Sequence, residues 1–206
     1  KENVITLMYS AAKKARLSAA YDTGSKFLNY TLELFQKDCW AREYHRTYKI
    51  YRLAAELAYL ALDYELADSY ITQALKNVHN IKEKASLYEI KMSSFAAQSK
   101  LQESVDISLE ALKELGVEFP SQNKFNLVFR LFKIRLSLRA ATEISKRPRM
   151  NNENILQAGR ILVNMMPSAY IVRPLLLPFI VIKMLELTLK YGLAPFSSPA
   201  YAAYAV

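Results

Sequence analysis

The sequence predicts an all-α protein, an α-α superhelix of helical hairpins with about ten helices. Three observations predict it. Glycine and proline are scarce, 4 and 7 in 206 residues, which disfavours an all-β chain with its many turns and suits long helices on short loops. Hydrophobic residues make up 52%, too many for disorder. Finally, a trio of small or compact residues recurs at offsets of twelve and seven: Ala55, Ala67 and Ala74, then Met92, Ser104 and Ala111. A larger residue, Tyr64 or Leu101, opens the second helix each time. Small side chains at such offsets let the helices of a hairpin approach closely and let the next hairpin stack on them.

Residues 3–36 form the first expected hairpin, with Ala12, Gly24 and Thr31 in the small positions and Tyr21 as opener. Gly24 and the branched Thr31 weaken the pattern there. Its break is expected near Asp22 and Thr23, where a side chain can cap free N–H groups. Residues 37–42 read as a connector. A helix over 41–62, a tight turn at Asp63 and a helix over 64–78 make the second hairpin. Residues 82–99 and 101–115 make the third, with Gly116 as a left-handed cap and Pro120 preventing resumption. The openers step by 43 and then 37 residues, against 34 in a strict tetratricopeptide array. The array over 1–120 is therefore degenerate, and residues 121–206 are expected to continue or close it with further packed helices.

The helix expected over 122–145 is apolar in most directions, with Arg and Lys interspersed. It is expected to be buried on two sides, its basic stems reaching outward. Pro148 breaks it, and Asn151 or Asn152 caps the next helix. That helix, 153–166, is expected to kink or end at Pro167. Pro174 opens another over 174–191, closed by Gly192. Ser198 as cap with Pro199 behind it starts the last helix. The apolar run 169–189 is not read as a membrane span. Arg173, Lys183 and Glu186 interrupt it, and its longest uncharged part falls well short of the roughly 20 residues required.

The chain carries a formal charge of +9. Much of the excess lies between Lys124 and Arg149, in Lys124, Arg130, Lys133, Arg135, Arg139, Lys146, Arg147 and Arg149, against a single Glu143. Such a segment meets nucleic acid, an acidic protein or an anionic membrane, or is simply a solvated face. The single cysteine, Cys39, cannot pair internally and fits a reducing compartment.

No constellation calls for catalysis. The four glycines stand too far apart for a phosphate loop. His45 and His79 have no neighbouring ligands for zinc. No serine sits in a nucleophile turn. The expectation is no catalytic, cofactor or metal site, and no cofactor. A binding surface remains. In stacked hairpins the first helices line a concave side, and the repeat register places Tyr9, Lys13 and Arg16, then Lys49, Arg52 and Tyr59, then Glu89 and Ser93 along it. This groove would take an extended or helical segment bearing acidic and apolar side chains.

The stretches Cys39-Trp40, KASLYEIK (84–91), AAQSKLQESVDISLEALKELGVEFP (96–120) and LTLKYGLAPFSSPAYAAYA (187–205) resemble the tetratricopeptide-like helical region of large multidomain signalling proteins. In these a STAND-type ATPase, often behind a Ser/Thr-kinase-like domain, precedes the helices, and GAF, histidine kinase or other modules follow. The resemblance implies a regulatory or sensory segment of a cytoplasmic signalling protein. No catalytic residues carry over, because the ATPase and kinase motifs are absent from these residues. The leading expectation is a non-catalytic scaffold for a protein or peptide partner, including other domains of its own chain. The alternatives are a nucleic-acid-binding array through 124–149, and a small-molecule sensor with a cavity near Met165, Met166 and Tyr170.

Overall fold

A computed structural model describes residues 2–36, 38–119, 123–140 and 147–205. Among these residues there are eleven α-helices and no β-strand, so the protein is all-α. In chain order they are α1 (Glu2–Leu17), α2 (Tyr21–Glu33), α3 (Cys39–Arg42), α4 (Tyr44–Leu60), α5 (Tyr64–Asn77), α6 (Ile81–Ala97), α7 (Leu101–Glu114), α8 (Lys124–Ala140), α9 (Glu153–Val172), α10 (Leu177–Tyr191) and α11 (Ser197–Ala205). The chain divides into two compact units, Lys1–Ser94 and Phe95–Val206. No described helix is long and apolar enough to cross a membrane.

In the first unit α1 packs on α2, α2 on α4, and α4 on α5. The small positions read from the sequence are the inner seams of these pairs. Ala12, Thr31, Ala55, Ala67 and Ala74 are wholly buried, as are the larger Leu28, Leu57 and Ile71 around them. Gly24 shows why size matters. A Cβ there would stand 3.0 Å from Leu57 Cδ1 and 3.1 Å from Ala15 Cβ, tighter than side chains ordinarily pack, so α1 and α4 close on α2 where it has no side chain. Thr31 satisfies its buried hydroxyl within its own helix, donating to the Phe27 carbonyl at 2.7 Å.

The hairpin turns repeat one geometry. Ala19, Leu62 and Ser99 all take positive φ, at 56°, 65° and 61°. The next amide in each turn donates back to the carbonyl five residues earlier: Ala20 to Ala15, Asp63 to Ala58, Lys100 to Phe95. The turn residue itself donates three back, to Arg16, Tyr59 and Ala96. This pair of bonds closes a helix that ends on a left-handed residue and satisfies its last carbonyls. Gly116 (φ 76°) and Val117 repeat it a fourth time, at the end of α7. The first break thus falls at Ser18–Ala20, not at Asp22–Thr23. Asp22 lies in the first turn of α2 and pairs with Lys26 at 2.7 Å instead of capping. Asp63 does cap: its Oδ1 accepts from the Leu66 amide. The connector holds one helical turn, α3, whose Trp40 stacks on Tyr51 with ring centres 5.1 Å apart. Tyr51 in turn meets Tyr70 edge-on.

In the second unit α7 packs on α9, and α10 contacts α8, α9 and α11. Phe196 lies on α9 at Gly159, where a Cβ would come within 2.0 Å of the ring. The Pro148 carbonyl accepts from the Leu193 amide, and the Leu193 carbonyl from Met150. This joins the segment before α9 to the end of α10, which Gly192 caps at φ 107°. Asn152 caps α9 by accepting from the Ile155 amide. Three sequence expectations change. Pro167 does not end α9, which runs on to Val172. A mid-helix proline costs about 3 kcal/mol, and burial of Ile161, Leu162 and Met165 before it and Ser168 and Ala169 after it holds both halves in one register. The last helix starts at Ser197 rather than behind Ser198, because the Ser197 hydroxyl is buried against Thr188 Oγ1 at 2.8 Å. And α8 is not buried on two sides: Ile134 is buried, but Phe125, Val128, Phe129, Phe132 and Leu136 are 55–80% exposed.

Two predictions follow from the turns and the seams. Leu62 is exposed and left-handed, so Leu62→Gly relieves about 1–2 kcal/mol of backbone cost against the greater freedom of an unfolded glycine. The net expectation in urea unfolding is a gain of about 0.5 kcal/mol, whereas Ala67→Leu loses about 1–3 kcal/mol by overpacking. Tyr70 donates to Asn29 Oδ1 at 2.8 Å, and its burial pushes its hydroxyl up from the ordinary value of 10.0 to about 12. The folded value lies above the unfolded one. Its contribution is therefore complete below pH 10 and declines as pH rises towards about 12. Alkaline melts of Tyr70→Phe should show a shallower decline over that window than the parent.

Candidate functional site

Five of the eight residues assigned to a binding surface line one groove of about 400 Å³ in the first unit: Tyr9, Lys13 and Arg16 of α1, and Lys49 and Arg52 of α4. Spacings of three and four put each set on one face of its helix. Leu17, Tyr48 and Leu53 complete the lining. Lys13, Arg16, Lys49 and Leu17 are exposed along it, whereas Tyr9 and Tyr48 are half-buried and Leu53 is buried, forming its floor.

The cations are held differently. Arg16 Nη1 lies 2.7 Å from Glu56 Oε1, and Arg52 Nη1 lies 3.7 Å from Glu56 Oε2. One carboxylate therefore sits between two guanidiniums. Among the described residues, the buried Glu56 Oε2 has no hydrogen-bond donor. Arg52 also donates from Nε to Ser86 Oγ at 2.6 Å, which fixes its side chain against α6. Lys13 lies over the Tyr9 ring at 5.7 Å. Lys13 and Lys49 are exposed, and among the described residues neither has a carboxylate within ion-pair distance. Tyr48 donates to the Glu83 carbonyl at 3.4 Å. Burial raises its pKa above the usual tyrosine value. The groove thus offers two anchored guanidiniums and two free ammonium groups over an aromatic floor, an arrangement suited to carboxylates next to apolar side chains.

Tyr59, Glu89 and Ser93 are not among the residues lining this groove. Tyr59 packs half-buried against the core of the unit, and Ser93 donates back to the Glu89 carbonyl within α6. Glu56 is the residue the sequence reading missed. Its signal was present: it follows Arg52 by four residues on one helix, the spacing of an ion pair.

Within the basic segment 124–149, Lys133, Arg135 and Arg149 are exposed, and two other cations are engaged within the fold. Arg130 pairs with Glu186 of α10 at 2.7 Å, and Arg147 donates to the Leu189 carbonyl at 2.6 Å. Lys146 and the side chains of Lys124 and Arg139 fall outside the described residues. Met165 is wholly buried while Tyr170 is 67% exposed. Among the described residues no group of three His, Cys, Asp or Glu side chains is placed to hold a metal ion.

No protein-family model matches the sequence, and no solved structure matches it. The chain is similar, at 21% identity over 231 aligned residues, to the hybrid signal transduction histidine kinase G of Dictyostelium discoideum. The alignment takes in 98% of this chain and 7% of that protein. An all-helical chain with this likeness fits a helical segment of a signalling protein.

A double-mutant cycle of Arg16→Ala and Glu56→Ala checks the anchoring. Both side chains are partly exposed, so the expected coupling in urea unfolding is about 0.5–1 kcal/mol, shrinking as salt rises.

Proposed function

We propose that this chain is a non-catalytic, tetratricopeptide-like interaction module of a multidomain signal-transduction protein. Its α1/α4 groove receives a segment of a protein partner, or of another domain of its own chain, that carries acidic and apolar side chains. The observation that supports this reading most is the convergence of Tyr9, Lys13, Arg16, Lys49 and Arg52, from two helices about forty residues apart in sequence, on one groove. The likeness to a signal transduction kinase supports the setting. In that setting the module relays the state of a nucleotide-switched ATPase domain to an output domain, inside the reducing cytoplasm that suits a lone Cys39. The contacts that Arg130 and Arg147 make within the fold weigh against a nucleic-acid-binding role.

Lys13 and Lys49 are the residues to reverse, because Arg52 also holds Glu56 and Ser86. A library of peptides pairing Asp or Glu with aromatic residues is screened by fluorescence anisotropy. The expected result is a set of binders weakened about tenfold or more by Lys13→Glu with Lys49→Glu, while the thermal melt is unchanged. If no acidic peptide binds, or the double variant binds as well as the parent, the groove assignment fails.

A further inference from the structure

Helix α8 carries a second surface that the groove does not explain. Phe125, Val128, Phe129, Phe132 and Leu136 stand three, four, seven and eleven residues from the first of them. At about 100° per residue they form one stripe, roughly 16 Å long. All five are 55–80% exposed. The opposite side of the helix is fixed: Ile134 is buried, and Arg130 is held by Glu186 of α10. The stripe is therefore displayed on an anchored helix, which lowers the entropy lost on docking. The 17 residues of α8 include no Asp or Glu, and Lys133 and Arg135, both exposed, lie on either side of the stripe.

We propose that this face of α8 docks into an acidic protein offering an apolar groove, the chemistry of a calcium-loaded EF-hand sensor. Apolar anchors one turn apart are what such grooves read, and a basic helix is what their acidic rims attract. A second copy of the chain is the wrong occupant, because it would set Lys133 and Arg135 against their own like charges. An anionic bilayer would also meet an apolar stripe flanked by cations, and binding to vesicles is the outcome that separates it.

The test titrates the whole chain into dye-labelled calmodulin, as the probe, and reads anisotropy. The expected result is saturable binding in calcium that disappears with EGTA. Phe129→Gln with Phe132→Gln should weaken it about tenfold or more, with unchanged helicity and melting because both rings are exposed. Phe125→Gln with Leu136→Gln, at the two ends of the stripe, should weaken it as well. Absence of binding in calcium, binding by both double variants as tight as the parent's, or binding confined to phosphatidylserine vesicles overturns the proposal.

Discussion

Close approach of helices at small side chains is the constraint on which the first unit depends. Where α2 meets α1 and α4, a single methyl group at Gly24 would press on Leu57 Cδ1 at 3.0 Å and on Ala15 Cβ at 3.1 Å. Ala12, Ala55, Ala67 and Ala74 are buried without remainder. Packed interiors have little slack, so these positions set how near the helices lie. The large residues that fill the remaining space, Leu28, Ile50, Leu57 and Ile71, take their places from that spacing. The left-handed turns serve the same end. By ending a helix on a double carbonyl bond within two residues, they reverse the chain fast enough for the small positions on either side to face one another.

That logic explains what was legible in the sequence. Offsets between small residues report a seam directly, since only seams need them, and all nine positions of the three trios are buried. Asp63 and Gly116 advertise their turns by chemistry. The other two turns do not: Ala19 and Ser99 adopt positive φ, a conformation that their residue types do not announce. Asp22, a better capping residue by type, therefore drew the first break three residues too late. Pro167 misled for the opposite reason. Its local cost is real, but burial on both sides of it outweighs that cost, and burial is not visible in a proline. The two-sided apolarity of α8 was legible. That only one of those sides is covered was not, because a sequence gives the faces of a helix and not the number of its neighbours.

The same asymmetry governs the groove. Tyr9, Lys13 and Arg16 could be placed on one face by spacing, and Lys49 and Arg52 likewise, so their meeting follows once α1 and α4 share α2. Tyr59, Glu89 and Ser93 also share helix faces by spacing, and the repeat register assigned them to the same concave side. The hairpins differ in length, with openers stepping by 43 and then 37 residues, so equal offsets do not guarantee equal facing.

Charge alone does not make the α1/α4 groove selective. Exposed ammonium groups such as those of Lys13 and Lys49 contribute little to a contact in water, on the order of 1 kcal/mol or less each. Arg16 and Arg52 are partly neutralised by Glu56. A carboxylate entering the groove must compete with Glu56 for the guanidiniums or settle for the two lysines. Neither course yields much affinity without help from the floor, where Tyr9, Tyr48 and Leu53 offer apolar surface that can be removed from water. In the proposed role Glu56 would set the specificity: it holds the two guanidiniums, so a bare anion would be a poor ligand and the advantage would go to a segment that brings an acid and an apolar side chain together.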